Sequence, residues 1–427
     1  MYGVLTVPQG AALSIGAVLG TGVIALPALA AQTAGPAALV AWGILVVLSI
    51  PLAATFAALG ARYPDAGGVA TYARRAFGPR ASAIVGWSFF LAVPVGAPAA
   101  ALFAGEYVAS AAGGGTATAL GTAAVLMVIV TAGNLGGIRV SGKLQLGLAA
   151  LLITLLVTAT VTALPHADLG NLRPFAPNGW WSIGPAVAVL VWGFAGWEAV
   201  TSLAADFRTP GRDLPRATGI ALVVVGLLYL GIAAASTLVL GPGLAAGGRG
   251  GAAPLAELLA IGVGGHVRTI AAAAAVLLTL GTMNAYYAGA AKLGAALGRD
   301  GALPAWFARG AAAGAVPRRS LLVVAALGAS SLVLVAATGM GTRVLVLLTS
   351  GCFVLVYLLG SAAAVKLLPA GSGARAGAIV ALVSSIGLVV VTGWYMIGTL
   401  VIAAGAAAYV RTKSSDRVVD SEPARLT

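Results

Sequence analysis

The residues of this chain that could do chemistry are few, and they interrupt apolar stretches. Gly20-Thr21-Gly22 lies inside residues 9–34, QGAALSIGAVLGTGVIALPALAAQTA. Gly16 and Pro27 weaken the same stretch as a helix. Each glycine costs about 1 kcal/mol against alanine, and proline removes a backbone hydrogen bond. An opened backbone inside hydrocarbon is costly unless it lines a protein cavity. The spacing predicts two half-helices, roughly 9–19 and 23–34, that meet at 20–22. The second would offer unpaired N–H groups and the positive end of its dipole, which suits a carboxylate. Glycine used only for close helix packing explains the same letters, so both readings stand.

The second interruption is in residues 181–206, WSIGPAVAVLVWGFAGWEAVTSLAAD, where Gly193 and Gly196 flank Phe194 and Ala195 and Glu198 follows. An acid within an apolar span is expensive and by default marks function. Glu198 either carries a proton or holds the opened backbone by hydrogen bonding. The remaining groups argue against an intramembrane enzyme. Asp65, Asp168, Asp206, Asp213 and Asp300 fall in loops or at span ends, and His166 and His266 fall in loops. No H-E-x-x-H, G-x-S-x-G or aspartate-rich motif occurs, so neither catalysis nor a metal or other cofactor is expected.

These interruptions must be positioned by a bundle of apolar helices. The chain has 427 residues, of which 60% are hydrophobic and 8% charged, with a mean hydropathy of +1.02. That composition excludes a soluble domain and implies a polytopic helical membrane protein with lipid as its surroundings. Sixty glycines suit close helix contacts. The net charge of +13 would suggest nucleic acid on a soluble chain, but here topology explains it. Cys352 is the single cysteine, so no intrachain disulfide forms. The start, MYGVLTVPQG, has no positive segment and is not expected to be a cleaved leader.

Twelve spans are expected, at about 9–34, 36–60, 82–111, 117–136, 144–164, 182–206, 217–241, 268–296, 320–338, 343–366, 376–393 and 394–411. Twenty of the Lys and Arg residues fall in alternate loops and the tail, among them Arg62, Arg74, Arg75, Arg80, Arg139, Lys143, Lys366 and Arg425. The other loops hold Arg173, Arg249, Arg268 and Arg343. That asymmetry places both termini in the cytoplasm and the protein in the cytoplasmic (inner) membrane. Residues 1–411 read as one transmembrane domain, and 412–427 as a cytoplasmic tail expected to be disordered. Between spans, 254–261 is expected to be a short helix starting at Pro254, and 62–80 to be amphipathic after Gly68.

Interrupted spans one and six are five apart. That is the pattern of an inverted-repeat transporter with its site at the breaks. Repeat one would cover about 9–164, repeat two about 182–366, with extra helices at about 376–411. A channel would want rings of like groups around a pore, and none is visible.

Four motifs resemble those of the amino acid–polyamine–organocation permeases. They are Gly20-Thr21-Gly22-Val23; Pro64-Asp65-Ala66-Gly67-Gly68 with Tyr72 and Ala76-Phe77-Gly78-Pro79; Trp192 to Glu198 followed by Pro210 to Ala217; and Arg299-Asp300-Gly301-Ala302-Leu303-Pro304. The resemblance implies a leucine-transporter-like fold, all α, with 12 helices in a 5+5 inverted repeat and helices 1 and 6 broken. It also implies that N–H groups of Thr21, Gly22 and Val23, beside Gly20, take a substrate carboxylate. Carbonyls near Ala17 and Val18, and around Trp192, Gly193, Phe194, Ala195 and Gly196, would take its ammonium. Trp192 looks like an aromatic gate, or else is an ordinary packed tryptophan. The fifth-span entrance, Asn134, Gly137-Ile138-Arg139 and Gln145, resembles the neutral amino-acid branches. Leu152 stands where some of those carry a coupling lysine, which leaves that coupling in doubt. The overall look is nearest the bacterial methionine and branched-chain exporter branch.

The rest of the pocket is expected from span three, with Pro94, Gly96, Pro98 and Glu106, and span eight, with Met283, Asn284, Tyr286 and Tyr287. Apart from Glu198 and Glu106 the central regions carry no charge. The expected function is secondary transport of a neutral, apolar amino acid, with efflux and proton coupling open. An exchanger or importer of another amino acid, amine or small organic cation is the alternative.

Overall fold

The computed structural model describes residues 5–64, 68–137, 142–198, 201, 204–246, 249–264, 267–311 and 315–421. Asp65, Ala66, Gly67, Ile138, Arg139, His266 and Arg425, all named above, lie outside the described residues. Among the described residues the regular elements are helices, and the one extended pairing is a bridge between Leu5 and Phe207.

Both interruptions are present. Helix α1 (Val7–Val18) starts at Thr6, whose N–H donates to Gln9 Oε1 at 3.1 Å. It stops because Leu19 and Gly20 leave helical geometry, Gly20 at φ −89°, ψ −171°. A 3-10 turn, Thr21–Ile24, follows, and then α2 (Leu26–Ala34). Pro27 sits in the first turn of α2. There its missing N–H costs nothing and its fixed φ favours the helix. The proline thus starts the second half and does not itself make the break.

Helices α3 (Ala38–Arg62), α4 (Gly68–Phe77), α5 (Pro79–Ala112), α6 (Thr116–Leu135) and α7 (Gly142–Ala163) come next. The second interruption ends α8 (Ile183–Phe194): Ala195 is extended, and Gly196 has φ +139°, a region that favours glycine. Then come α9 (Pro210–Ala235), α10 (Pro254–Gly262), α11 (Val267–Arg299), α12 (Arg318–Thr338), α13 (Thr342–Leu367), α14 (Gly373–Thr392) and α15 (Met396–Ser421). Both short helices expected between spans, α4 and α10, are there. The last helix runs past the expected span end at 411.

Nine helical stretches among the described residues are long and apolar enough to cross a membrane, and Val7–Val18 and Trp180–Phe194 are shorter apolar helices. Two of the nine, Leu26–Arg62 and Gly373–Thr412, have 37 and 40 residues. At 1.5 Å per residue the latter reaches about 60 Å, twice the apolar thickness of a bilayer. A turn at Gly393–Tyr395 divides it, with Gly393 at φ +60°. The best apolar windows of α5 and α13 are 78% buried and that of α7 22%, so α5 and α13 are central and α7 peripheral. Peripheral helices expose large apolar side chains such as Val128, Val161, Leu227 and Val390. Such surfaces fit lipid.

Candidate functional site

Opened helices leave carbonyls that need partners. Three buried tyrosines from three other helices supply them. Tyr107 on α5 donates to Ile24 O at 2.8 Å and accepts from Leu255 N of α10 at 3.1 Å. Tyr229 on α9 lies 3.1 Å from Val18 O and 2.5 Å from Gly193 O, bridging the two breaks. Tyr357 on α13 lies 3.1 Å from Phe194 O and 2.9 Å from Glu198 Oε2. The broken backbones also touch: a β-carbon on Gly196 would lie 2.7 Å from Ala17 O.

A cavity of about 50 Å³ lies where they meet. The first break lines it with Ala17, Val18, Gly20, Thr21 and Gly22, and the second with Trp192, Gly193 and Ala195. Gly96 and its neighbours line it from α5, Thr282, Met283 and Tyr286 from α11, and Thr349 and Phe353 from α13. None of these side chains is charged. The first N–H groups of a helical turn lack partners within it. Here those are on Thr21, Gly22 and Val23, and Thr21 and Gly22 form part of the wall.

Several expected residues are elsewhere. Val23 is fully buried in the core. Phe194 stacks in an aromatic cluster, its centroid 4.8 Å from Tyr229 and 6.0 Å from Trp42. Asn284 turns toward α6, where Oδ1 accepts from Asn134 Nδ2 at 2.8 Å. Tyr287 turns toward α12, its hydroxyl 3.2 Å from where a β-carbon on Gly328 would be. Of the span-three candidates, Gly96 reaches the wall and Pro94 and Pro98 do not. The Val18 carbonyl accepts from Gly20 N at 2.8 Å, and Tyr229, whose one hydroxyl proton also has Gly193 O at 2.5 Å, lies 3.1 Å from it.

Two larger cavities flank the central one. One of about 480 Å³ shares Ala17, Gly20, Thr282 and Tyr286 with it and is also lined by Gln145, Gly196 and Glu198. The other, about 640 Å³, contains Gln32, Phe103 and Glu106 and shares no lining residue with the centre. Phe103 packs edge-on against Trp192, centroids 5.4 Å apart, between the two. Trp192 in turn covers Gly22, whose β-carbon would lie 3.0 Å from Trp192 Cε3.

Glu198 faces the 480 Å³ cavity, and its Oε2 accepts from Gly196 N at 3.0 Å. Tyr357 has one hydroxyl proton and two neighbouring acceptors, Phe194 O and Glu198 Oε2. With the carboxyl protonated, Oε2–H donates to the Tyr357 oxygen and Tyr357 donates to Phe194 O, so every group is served. With the carboxylate ionised, Tyr357 must choose between them.

A family profile described as amino acid permease matches residues 5–414. The chain belongs to this family. The permease is thus a multi-pass membrane protein that transports amino acids and is not an enzyme. It is 34% identical over 319 residues to the uncharacterized amino acid permease YecA of Bacillus subtilis, covering 75% of this chain and 74% of that one. It is 38% identical over 237 residues to the L-methionine/branched-chain amino acid exporter YjeH of Escherichia coli, covering 53% of this chain and 54% of that one. The branched-chain amino acid permease BcaP of Bacillus subtilis is 26% identical over 246 residues, 53% of each chain.

Proposed function

We propose that this permease moves a neutral amino acid with a largely apolar side chain across the cytoplasmic membrane by alternating access. The observation that carries this reading is the small uncharged cavity at the meeting of two interrupted helices. The substrate carboxylate lies against the N–H groups of Thr21 and Gly22, where the end of a helical turn favours an anion. The ammonium lies against the carbonyls nearest the breaks, at Ala17, Val18, Trp192 and Ala195. A cationic side chain would want an acid on this wall and an anionic one an arginine; the wall has neither. The relative named as an L-methionine/branched-chain exporter supports such a side chain and outward movement.

Trp192 and Phe103 act as the outer gate, and the 480 Å³ cavity is the inner approach. Glu198 takes and gives up a proton there, and its state decides whether Tyr357 serves the Phe194 carbonyl. Twelve crossings in a 5+5 inverted repeat, both termini cytoplasmic, accommodate these elements: α1 with α2 make crossing one, α8 and the residues after it crossing six, and α14 and α15 the last two. The domain then spans residues 1–411, with 412–427 as a cytoplasmic tail.

The test is a substrate panel in proteoliposomes, with and without a pH gradient. Methionine, leucine or isoleucine should exchange in counterflow, and the gradient should drive their accumulation. Preference for arginine or glutamate would defeat the reading of the wall, and absence of counterflow would defeat the carrier.

A further inference from the structure

Several buried hydroxyls on the helices of this permease donate to the carbonyl one turn back. Ser14 does so to Gly10 at 2.8 Å, Thr33 to Leu29 at 2.8 Å, Thr218 to Leu214 at 2.9 Å and Thr392 to Leu388 at 2.7 Å. That bond costs the helix little and leaves no polar atom unserved. Thr349 on α13 departs from the habit. It is 2% exposed, and its Oγ1 has no hydrogen-bond partner. Ten side-chain N or O atoms among the described residues are orphaned in this way, and Thr349 Oγ1 is the one on the wall of the central cavity.

Phe353 lies one turn further along α13, and Met283, Ala97 and Trp192 are among the other residues of the wall. Thr349 packs over Gly96, where a β-carbon would lie 3.0 Å from Thr349 Cγ2, 3.2 Å from Thr349 Oγ1 and 3.5 Å from Trp192 Nε1. A residue larger than glycine would press on Thr349, so the glycine lets the threonine take its place on the cavity wall.

We propose that Thr349 is a specificity residue, and that the part of the central cavity beside it takes a mainly apolar substrate side chain bearing one uncharged hydrogen-bonding atom, a thioether or a hydroxyl. This rests on the amino-acid site proposed above. An unpartnered buried polar group on the wall discriminates against the isostere that cannot bond to it, because the group is then left unpaired. A purely hydrocarbon side chain fits the same volume but leaves Oγ1 orphaned.

The experiment compares isosteric pairs in proteoliposomes: L-threonine against L-valine and L-methionine against L-norleucine, each as the ratio of kcat/KM. Wild type should favour the polar member of at least one pair. Thr349→Val should reduce that preference about two- to tenfold, the value of one neutral hydrogen bond, and Thr349→Ser should keep it. Because each ratio is taken within one protein, losses in yield cancel. No preference in wild type, a change below twofold in Thr349→Val, or equal loss in Thr349→Ser would overturn the inference. Equal transport of both members leaves the amino-acid site standing and removes only the role of Thr349. Failure to transport any of the four removes the site as well.

Discussion

Gly22→Ala is the sharpest test of the proposed site. A β-carbon at residue 22 would lie 3.0 Å from Trp192 Cε3, 3.1 Å from Leu26 Cδ1 and 3.2 Å from Trp192 Cζ3. Carbon atoms prefer roughly 3.5–4.0 Å, so the tryptophan must retreat by several tenths of an ångström. It is backed by Phe103, at 5.4 Å between centroids. Overpacking of this kind costs about 1–3 kcal/mol. The ring and the Thr21–Gly22 turn form opposite parts of one wall, so the cost falls on binding and should raise Kd about 5- to 150-fold. Scintillation proximity binding of radiolabelled methionine or leucine to detergent-purified protein measures it. Gly43→Ala is the control: it lies in α3 with nothing within 4 Å of its β-carbon. It should bind as wild type and be slightly stabilised, as helical glycine to alanine changes are. Folded Gly22→Ala protein with a Kd within twofold of wild type would refute the placement of the substrate beside Gly22 and Trp192.

Three further outcomes are expected. Glu198→Gln removes the titratable group and leaves where Oε2 stands an amide atom that can donate to Tyr357 or accept from Gly196 N but not both, so counterflow should persist while accumulation driven by a pH gradient is lost; an unchanged pH profile would make Glu198 structural. Tyr229→Phe leaves the Gly193 carbonyl without its donor at about 1–3 kcal/mol, and should lower the thermal unfolding midpoint as well as the transport rate. An unmoved midpoint would mean that the carbonyl finds another partner. Gly196→Ala combines a φ of +139° with a β-carbon 2.7 Å from Ala17 O, and should abolish transport, checked by uptake at matched protein level.

Gly20 and Gly22, and Gly193 and Gly196, mark the breaks in the sequence because helical propensity and intramembrane hydrogen bonding are local demands. The rotation of α11 is not local. Its residues are mostly apolar or small all round, so no stripe says which face is inward; of the four residues expected from it Met283 and Tyr286 reach the cavity, Asn284 and Tyr287 do not, and Thr282 joins them. A one-residue phase error on a helix turns a side chain through about 100°. Asn134 carried the missing signal, since a buried amide in α6 needs a partner and Asn284 is the amide that meets it. Thr349 and Phe353, four apart on α13, went unnoticed because a lone threonine in an apolar run ordinarily bonds its own helix.

The two flanking cavities, about 640 and 480 Å³, leave little more than the Phe103–Trp192 pair and the central site between them. Where water fills both, the transmembrane voltage drops across that thin partition and not over the whole bilayer. A zwitterion crossing it carries no net charge and does no electrical work. A proton passing the same few ångströms would gain or lose about 2.3 kcal/mol per 100 mV. Membrane potential then acts on any ion that crosses with the substrate and not on a neutral zwitterion.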